Sequence, residues 1–176
     1  PSNLLPYQYP TEDELLSVDA KGIFLGHYLP WDGLQNALLS SSHGFNFYTR
    51  AVEGSVVPYE NLDNHQNGIH DYFKFLKFGF SRATDIASIL IRRGYLHRDS
   101  EITRVREIED ECYPSYHLGK SIEEVISPLK IKIEDFNRLC DLHTNPLLFE
   151  FSSEGIPLKN ISGTPILRKE IRSLYN

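Results

Sequence analysis

Four polar residues, His70, Lys74, Lys77 and Ser81, follow one another at steps of four, three and four. On an α-helix such steps stack side chains on one face, so an imidazole and two ammonium groups point the same way. The rest of that stretch is apolar: Ile69, Tyr72, Phe73, Leu76 and Phe80 recur at helical spacing, with Phe75 and Phe78 on the far side. Lysines line such a helix when their stems pack and their heads reach water, a carboxylate or a bound anion. Arg82, Asp85 and Arg92 continue the theme. Asp85 can orient one guanidinium and leave the other free for an anionic ligand. The same residues also allow plain helix salt bridges, Lys74 with Asp71 and Arg82 with Asp85.

Other candidates are weaker. Trp31 and Asp32 follow a short apolar run at a strand-to-helix turn, where α/β units place ligands. Asp32 is equally suited to cap the helix that follows. Asp63, His65 and His70 could suggest a metal, but their irregular spacing does not dictate convergence, and no metal site is expected. Cys112 and Cys140 form neither a CxxC pair nor a zinc pattern. They read as buried thiols of a reducing cytoplasm.

The elements that must position these groups can be read in order. Residues 1–10 read as an extended lead-in to a short acidic helix, capped by Thr11 with Glu14 three residues on. Residues 22–29, GIFLGHYL, read as a buried strand, and a helix runs from about Leu34 to Ser41. Phe45 to Arg50 reads as a further short strand, followed by a long polar loop. The helix bearing the stripe ends at Gly79, and a second runs from near Ser81 to Gly94 with Ala83, Ile86, Ala87, Leu90 and Ile91 inward. A third turns Ile102, Val105, Ile108 and Cys112 inward and its charges to water. Ser121 and Glu124 form a capping box, and a last helix buries Phe136, Leu139 and Cys140. Residues beyond Phe151 read as loose.

The chain has 176 residues, a net charge of -6 and 40% hydrophobic residues. Its pI is about 5.6 and its mean hydropathy -0.35. That excludes a membrane span and argues against nucleic-acid binding, because phosphate-backbone affinity needs excess Lys and Arg.

The string NGIHDYFKFLKFGFSRATDIAS, followed by IRRG, resembles the C-terminal portion of the N-acetyl sugar amidotransferases, members of the PP-loop ATP pyrophosphatase superfamily. YQYPTEDEL, GIFLGHYLPWD and IEDFNRLCDLHTNPLLF are similar to the same family's flanking blocks, so the likeness runs from about Tyr7 to Phe149. The family's Ser-Gly-Gly-x-Asp-Ser nucleotide-binding loop is absent from these residues.

The resemblance implies a mainly α fold with a small α/β element at its N-terminal side, the helical C-terminal part of a PP-loop, adenine nucleotide alpha hydrolase-like, enzyme. Residues 1–60 would end the nucleotide-binding domain, 61–150 would contact substrate and phosphate, and 151–176 would be a tail. It implies conversion of a sugar's N-acetyl group to an acetamidino group in bacterial surface-polysaccharide (LPS O-antigen) synthesis. ATP and Mg²⁺ are the implied cofactors, the substrate a nucleotide-linked N-acetyl sugar, and ammonia comes from a separate glutaminase. On that basis Lys77, Arg82 and His70 are the candidate catalytic residues. Lys74, Lys77, Arg82 and Arg92 are the candidates for cofactor phosphates, and Trp31, Asp32, Asp71, Tyr72 and Asp85 for the sugar. The competing expectation is a non-catalytic module that docks a glutaminase or binds a sugar or nucleotide.

Overall fold

The computed structural model describes residues 4, 7–19 and 21–174. It divides into two compact units, Pro1–Phe45 and Asn46–Asn176. The extended lead-in expected over residues 1–10 lies partly outside the described residues.

In the first unit, helix α1 (Glu12–Ser17) starts with the expected capping box. The Thr11 hydroxyl accepts from the Glu14 N–H at 3.3 Å, and Glu14 accepts from the Thr11 N–H at 2.8 Å. Helix α2 (Gly33–Ser41) begins at Asp32. The strand expected over residues 22–29 is instead a 3-10 turn, Leu25–His27, and Phe24 is 91% exposed. A strand must exchange N–H and C=O bonds with a neighbour, and no ladder partner exists among the described residues of this unit. The chain satisfies itself locally, with His27 N–H bonding Phe24 O at 2.9 Å and Leu29 N–H bonding Leu25 O at 3.0 Å.

The second unit carries the polar helices. Helix α3 (Asn67–Phe78) stops at Gly79, whose left-handed φ of 78° turns the chain sharply into α4 (Arg82–Arg92). Helix α5 (Arg98–Asp110) follows, then a tight hairpin of β1 (Tyr116–His117) and β2 (Lys120–Ser121). The strands are antiparallel, with Tyr116 opposite Ser121 and His117 opposite Lys120. Helices α6 (Ile122–Ile126), α7 (Ile133–His143) and α8 (Lys169–Ser173) complete the unit. Ser121 and Glu124 form the expected capping box.

Two apolar clusters hold these elements. Tyr72, Phe75 and Leu76 of α3 pack with Ile122, Ile126, Phe136, Cys140 and Phe149. Ala83, Ile86, Ala87 and Leu90 of α4 pack with Val56, Val57 and Val105. Each helix belongs to a different cluster, so their junction at residues 79–82 is pinned from both sides.

The expectation of a mainly α chain with a small β element holds, but the β element lies at residues 116–121. Residues 45–50 form no strand. They lead into a stretch that doubles back, Tyr48 N–H to Pro58 O at 2.8 Å and Val52 N–H to Val57 O at 3.1 Å. That fold buries Val52, Ser55, Val56 and Val57, so part of the expected polar loop is core. Leu139, expected inward, is exposed, as is Phe78 on the far side of α3, because the packing face of each helix is narrower than its apolar sector. Residues 152–167, expected to be loose, are not: bridges pair Phe149 with Leu167, Phe151 with Pro157 and Lys159 with Pro165. Among the described residues no helix is long and apolar enough to cross a membrane.

Candidate functional site

Gly79 brings the last turns of α3 against the first turn of α4, and the polar stripe meets the second helix's charges there. The pairing crosses between helices rather than running within each. Arg82 Nε and Nη2 donate to Asp71 Oδ2 and Oδ1 at 2.7 and 3.2 Å, a fork that a guanidinium and a carboxylate make well. Lys74 pairs with Asp85 and lies over the Phe80 ring, 4.7 Å from its centroid. The within-helix pairs Lys74 with Asp71 and Arg82 with Asp85 give way because the two helices are close enough for longer-range partners.

Asp71 is the hub. It also accepts from Asn61 Nδ2 at 3.1 Å, and His70 Nδ1 lies 3.1 Å from its other oxygen. Asn61 sits at φ 58°, a left-handed conformation that asparagine tolerates better than most residues. Glu60 stands 3.8 Å from Arg82 Nη1. Burial opposes the Arg82 charge, yet the Asp71 bond and the Asp71, Glu60 and Asp85 charges together raise its pKa above the usual arginine value. Burial also raises the Glu60 pKa, with Arg82 pulling it down and Asp71 adding to the rise.

What starts α4 in the right place was missed by sequence reading. Ser81 makes no side-chain cap of its own. Glu109 of α5 supplies it, accepting from Ser81 N–H at 2.7 Å, Ser81 Oγ at 3.1 Å and Thr84 Oγ1 at 2.7 Å. A carboxylate at a helix N-terminus satisfies orphan donors and the helix dipole together. Glu109 and Glu101 are buried although the charges of α5 were expected to face water, while Ile102 and Ile108 are only half-buried. The charge pattern alone could not separate a capping glutamate from a solvated one.

Glu109 gives a pH signature. Burial raises its carboxyl pKa above 4.5, while the Ser81 and Thr84 bonds hold it down. Between 4.5 and that raised value the folded chain keeps a proton the unfolded chain has lost, so stability falls as pH rises through the window. Relative to Glu109→Gln, the natural protein is therefore expected to lose stability on going from acid to neutral pH. Urea unfolding of both at the two pH values checks this, and a difference unchanged with pH would count against it.

Of the remaining stripe, Lys77 and Arg92 are exposed and make no ion pair among the described residues. Arg92 lies ten residues along α4 from Arg82, about 15 Å at helical rise, so the structure does not bring the two together. Trp31, exposed, and Asp32 belong to the other unit, where Asp32 caps α2 by accepting from Gln35 N–H at 2.9 Å. Tyr72 turns inward beside Asp71, and burial drives its phenol pKa upward. Burial likewise pushes the Cys140 thiol up to about 12 and the Cys112 thiol well up, so both are protonated packing groups rather than nucleophiles. Among the described residues no three His, Cys, Asp or Glu side chains converge to hold a metal.

An ATP triphosphate does not fit this corner as it stands. Lys74 and Arg82 already answer Asp85, Asp71 and Glu60, and an incoming anion would meet those carboxylates. What the corner offers is a hydrogen-bonding surface around a neutralised ion-pair hub.

A family model described as LPS biosynthesis protein WbpG-like, C-terminal domain, matches residues 45–161, about two thirds of the chain. No curated protein matches the chain.

Proposed function

The chain belongs to the family of LPS biosynthesis proteins described as WbpG-like, C-terminal domain, and from that premise we propose that it is the sugar-contacting part of an ATP-dependent N-acetyl sugar amidotransferase. In this reading the oxygen of a sugar's acetamido group is exchanged for the nitrogen of glutamine-derived ammonia, leaving an acetamidino group. It is the helical C-terminal part of a PP-loop enzyme, working in the cytoplasm. ATP and Mg²⁺ act with the nucleotide-binding part implied by the resemblance, since Lys74 and Arg82 of the α3–α4 corner are already paired with carboxylates.

The observation that supports the reading is that residues 45–161 hold the whole Asp71 hub and its flanking polar groups within one family match. A neutral sugar is recognised by fixed donors and acceptors, which a neutralised ion pair with locked rotamers supplies. Asp71, Asp85 and Tyr72 keep that framework in place. His70 and Lys77 are exposed at the surface of α3 and available to touch a substrate.

The test uses the full-length enzyme with its glutaminase, a nucleotide-linked N-acetyl sugar, Mg·ATP and glutamine, read by mass spectrometry for replacement of oxygen by NH. The acetamidino product is expected, with turnover lowered at least about tenfold in Lys77→Ala, the order expected for losing one charge-stabilising group. Absence of that product with every N-acetyl sugar tried would sink the reading. Undiminished turnover in Lys77→Ala would remove Lys77 from it.

A second reading is favoured by the first unit, in which Phe24, Tyr28, Leu29, Trp31 and Leu39 are exposed and Ala37 alone is fully buried among the described residues. Large exposed apolar side chains close in sequence suit a docking surface for the glutaminase. Retention of the glutaminase by a Phe24→Ser, Trp31→Ser variant as firmly as by the natural protein would remove it.

A further inference from the structure

Beside the Asp71 hub the chain surrounds a partly open cavity of about 40 Å³, lined by Glu53, Gly68, Asp71, Tyr72, Tyr113 and His117 among others. That is room for a water or two, or for one small substituent of a larger molecule. Two of the lining side chains have unused hydrogen-bonding capacity. Among the described residues the Tyr72 hydroxyl is buried without a hydrogen-bond partner, and neither ring nitrogen of His117 makes a well-formed hydrogen bond, the Asn61 carbonyl being the one hydrogen-bonding group near enough to act on the imidazole. His117 and Tyr72 are 3% and 1% exposed. Buried polar groups are nearly always paired, and an unpaired one is costly, so unused capacity beside a cavity points to something that fills it.

His117 is held there deliberately by its surroundings. Its carbonyl accepts from His65 Nδ1 at 3.1 Å, and the next N–H, of Leu118, donates to Glu53 Oε2 at 3.1 Å. The ring lies against the first turn of α3 because Gly68 has no side chain. A Cβ at that position would stand 3.2 Å from His117 Cβ and Cγ.

The charges decide what chemistry fits. Asp71 is already engaged by Arg82, Asn61 and His70, and Glu53 by Arg50 and Leu118, so of the lining carboxylates only the exposed Glu111 is unengaged among the described residues, and one carboxylate does not make a cation site. The same carboxylates repel an anion. Burial, with His65 adding to it, lowers the His117 pKa against the pull of Glu53, the Asn61 carbonyl and Asp71. A neutral imidazole offers one donor and one acceptor, and a phenol offers both. Hydroxyl and carboxamide groups are their complements.

We propose that the His117–Tyr72 cavity is a binding subsite for a neutral hydroxyl or amide substituent of a carbohydrate. The hydrogen-bonding class follows from the cavity. Its assignment to a carbohydrate rests on the reading above.

The experiment is a titration of the ¹⁵N-labelled 176-residue chain, following the His117 imidazole nitrogens by NMR. N-acetylglucosamine is expected to shift them saturably, and ammonium chloride and potassium phosphate to leave them in place. Tyr72→Phe, which removes one oxygen, is expected to weaken binding at least about tenfold, as losing a buried neutral hydrogen bond does. Gly68→Ala, which presses on the ring, is expected to weaken it as well, and His117→Ala to abolish it, judged on a backbone amide of α3. No shift with the sugar, a saturable shift with ammonium or phosphate instead, or sugar binding unchanged in Tyr72→Phe would each overturn the subsite. Loss of the subsite with acetamidino product still formed leaves the proposed reaction standing. Sugar binding without product does the reverse.

Discussion

Asp71→Ala is expected to destabilise the chain by about 2–4 kcal/mol, because it strands a half-buried guanidinium whose main partner is gone. Arg82 would keep only Glu60, 3.8 Å away, in place of two bonds at 2.7 and 3.2 Å. Asn61 would lose the acceptor that helps fasten its left-handed backbone. In a chain of this size the loss corresponds to a fall in Tm of about 5–15 °C. Asp71→Asn, which keeps the shape and one acceptor, should fall between the two. The decisive variant is Asp71→Ala combined with Arg82→Leu. Most of the cost lies in the orphaned charge, so removing both partners should recover part of the loss. Thermal melts of the natural protein, Asp71→Ala, Arg82→Leu and the double variant give the coupling, and a double variant as unstable as the sum of the singles would show that the two residues act independently.

The sequence made α3 and α4 readable because both follow helical periodicity between clear punctuation. Gly79 ends one and Gly94 the other, and the observed helices Asn67–Phe78 and Arg82–Arg92 lie within two residues of the expected bounds. Capping boxes at Thr11 and Ser121 were equally plain, since the two partners stand three residues apart in the chain. The cross-pairing at the corner was not readable. Which carboxylate meets Arg82 depends on the angle at which α3 and α4 meet, and that is set by two apolar clusters whose members are scattered over residues 56–149.

His117 left a fainter trace. It precedes Leu118 and Gly119, both at positive φ, in a two-residue hairpin turn. Leucine is an uncommon choice for that conformation, so the stretch YHLGKS did not announce a hairpin. A histidine between an ordinary tyrosine and a leucine carries no motif. Its significance comes from Gly68, 49 positions earlier, and proximity of that kind appears only once the chain is folded. Glu109 was hidden for the opposite reason, lying in a run of charges where burial of one glutamate is the exception.

The C-terminal stretch shows the largest gap between composition and packing, and it yields the strongest stability effect. Its glycines and prolines suggest a loose tail, yet Glu150 N–H bonds Ile166 O at 2.9 Å, Leu158 N–H bonds Glu150 O at 2.8 Å and Ile166 N–H bonds Leu158 O at 2.9 Å. These bonds draw residues 150, 158 and 166 side by side. Asn160 Nδ2 and Ser162 Oγ donate to the carbonyl of Asp110 at 2.6 and 2.9 Å, satisfying the last turn of α5. Thr164 Oγ1 accepts from Tyr113 N–H at 3.1 Å. At the root stands Phe149, fully buried, its ring 5.2 Å from that of Phe75. Phe149→Ala is therefore expected to cost about 3–5 kcal/mol, from lost transfer energy and the cavity left behind. Ile161→Ala, at an exposed position in the same stretch, should stay within about 0.5 kcal/mol of the natural protein. Urea unfolding of the two variants separates a packed ladder from a loose tail, and a cost below about 1 kcal/mol for Phe149→Ala would refute the packing described. The effect should also reach the site. Phe75 lies one turn beyond Asp71 on α3, and Tyr72 belongs to the same cluster as Phe149. Phe149→Ala should accordingly loosen the wall of the His117–Tyr72 cavity and weaken its ligand, whereas Ile161→Ala should leave binding intact.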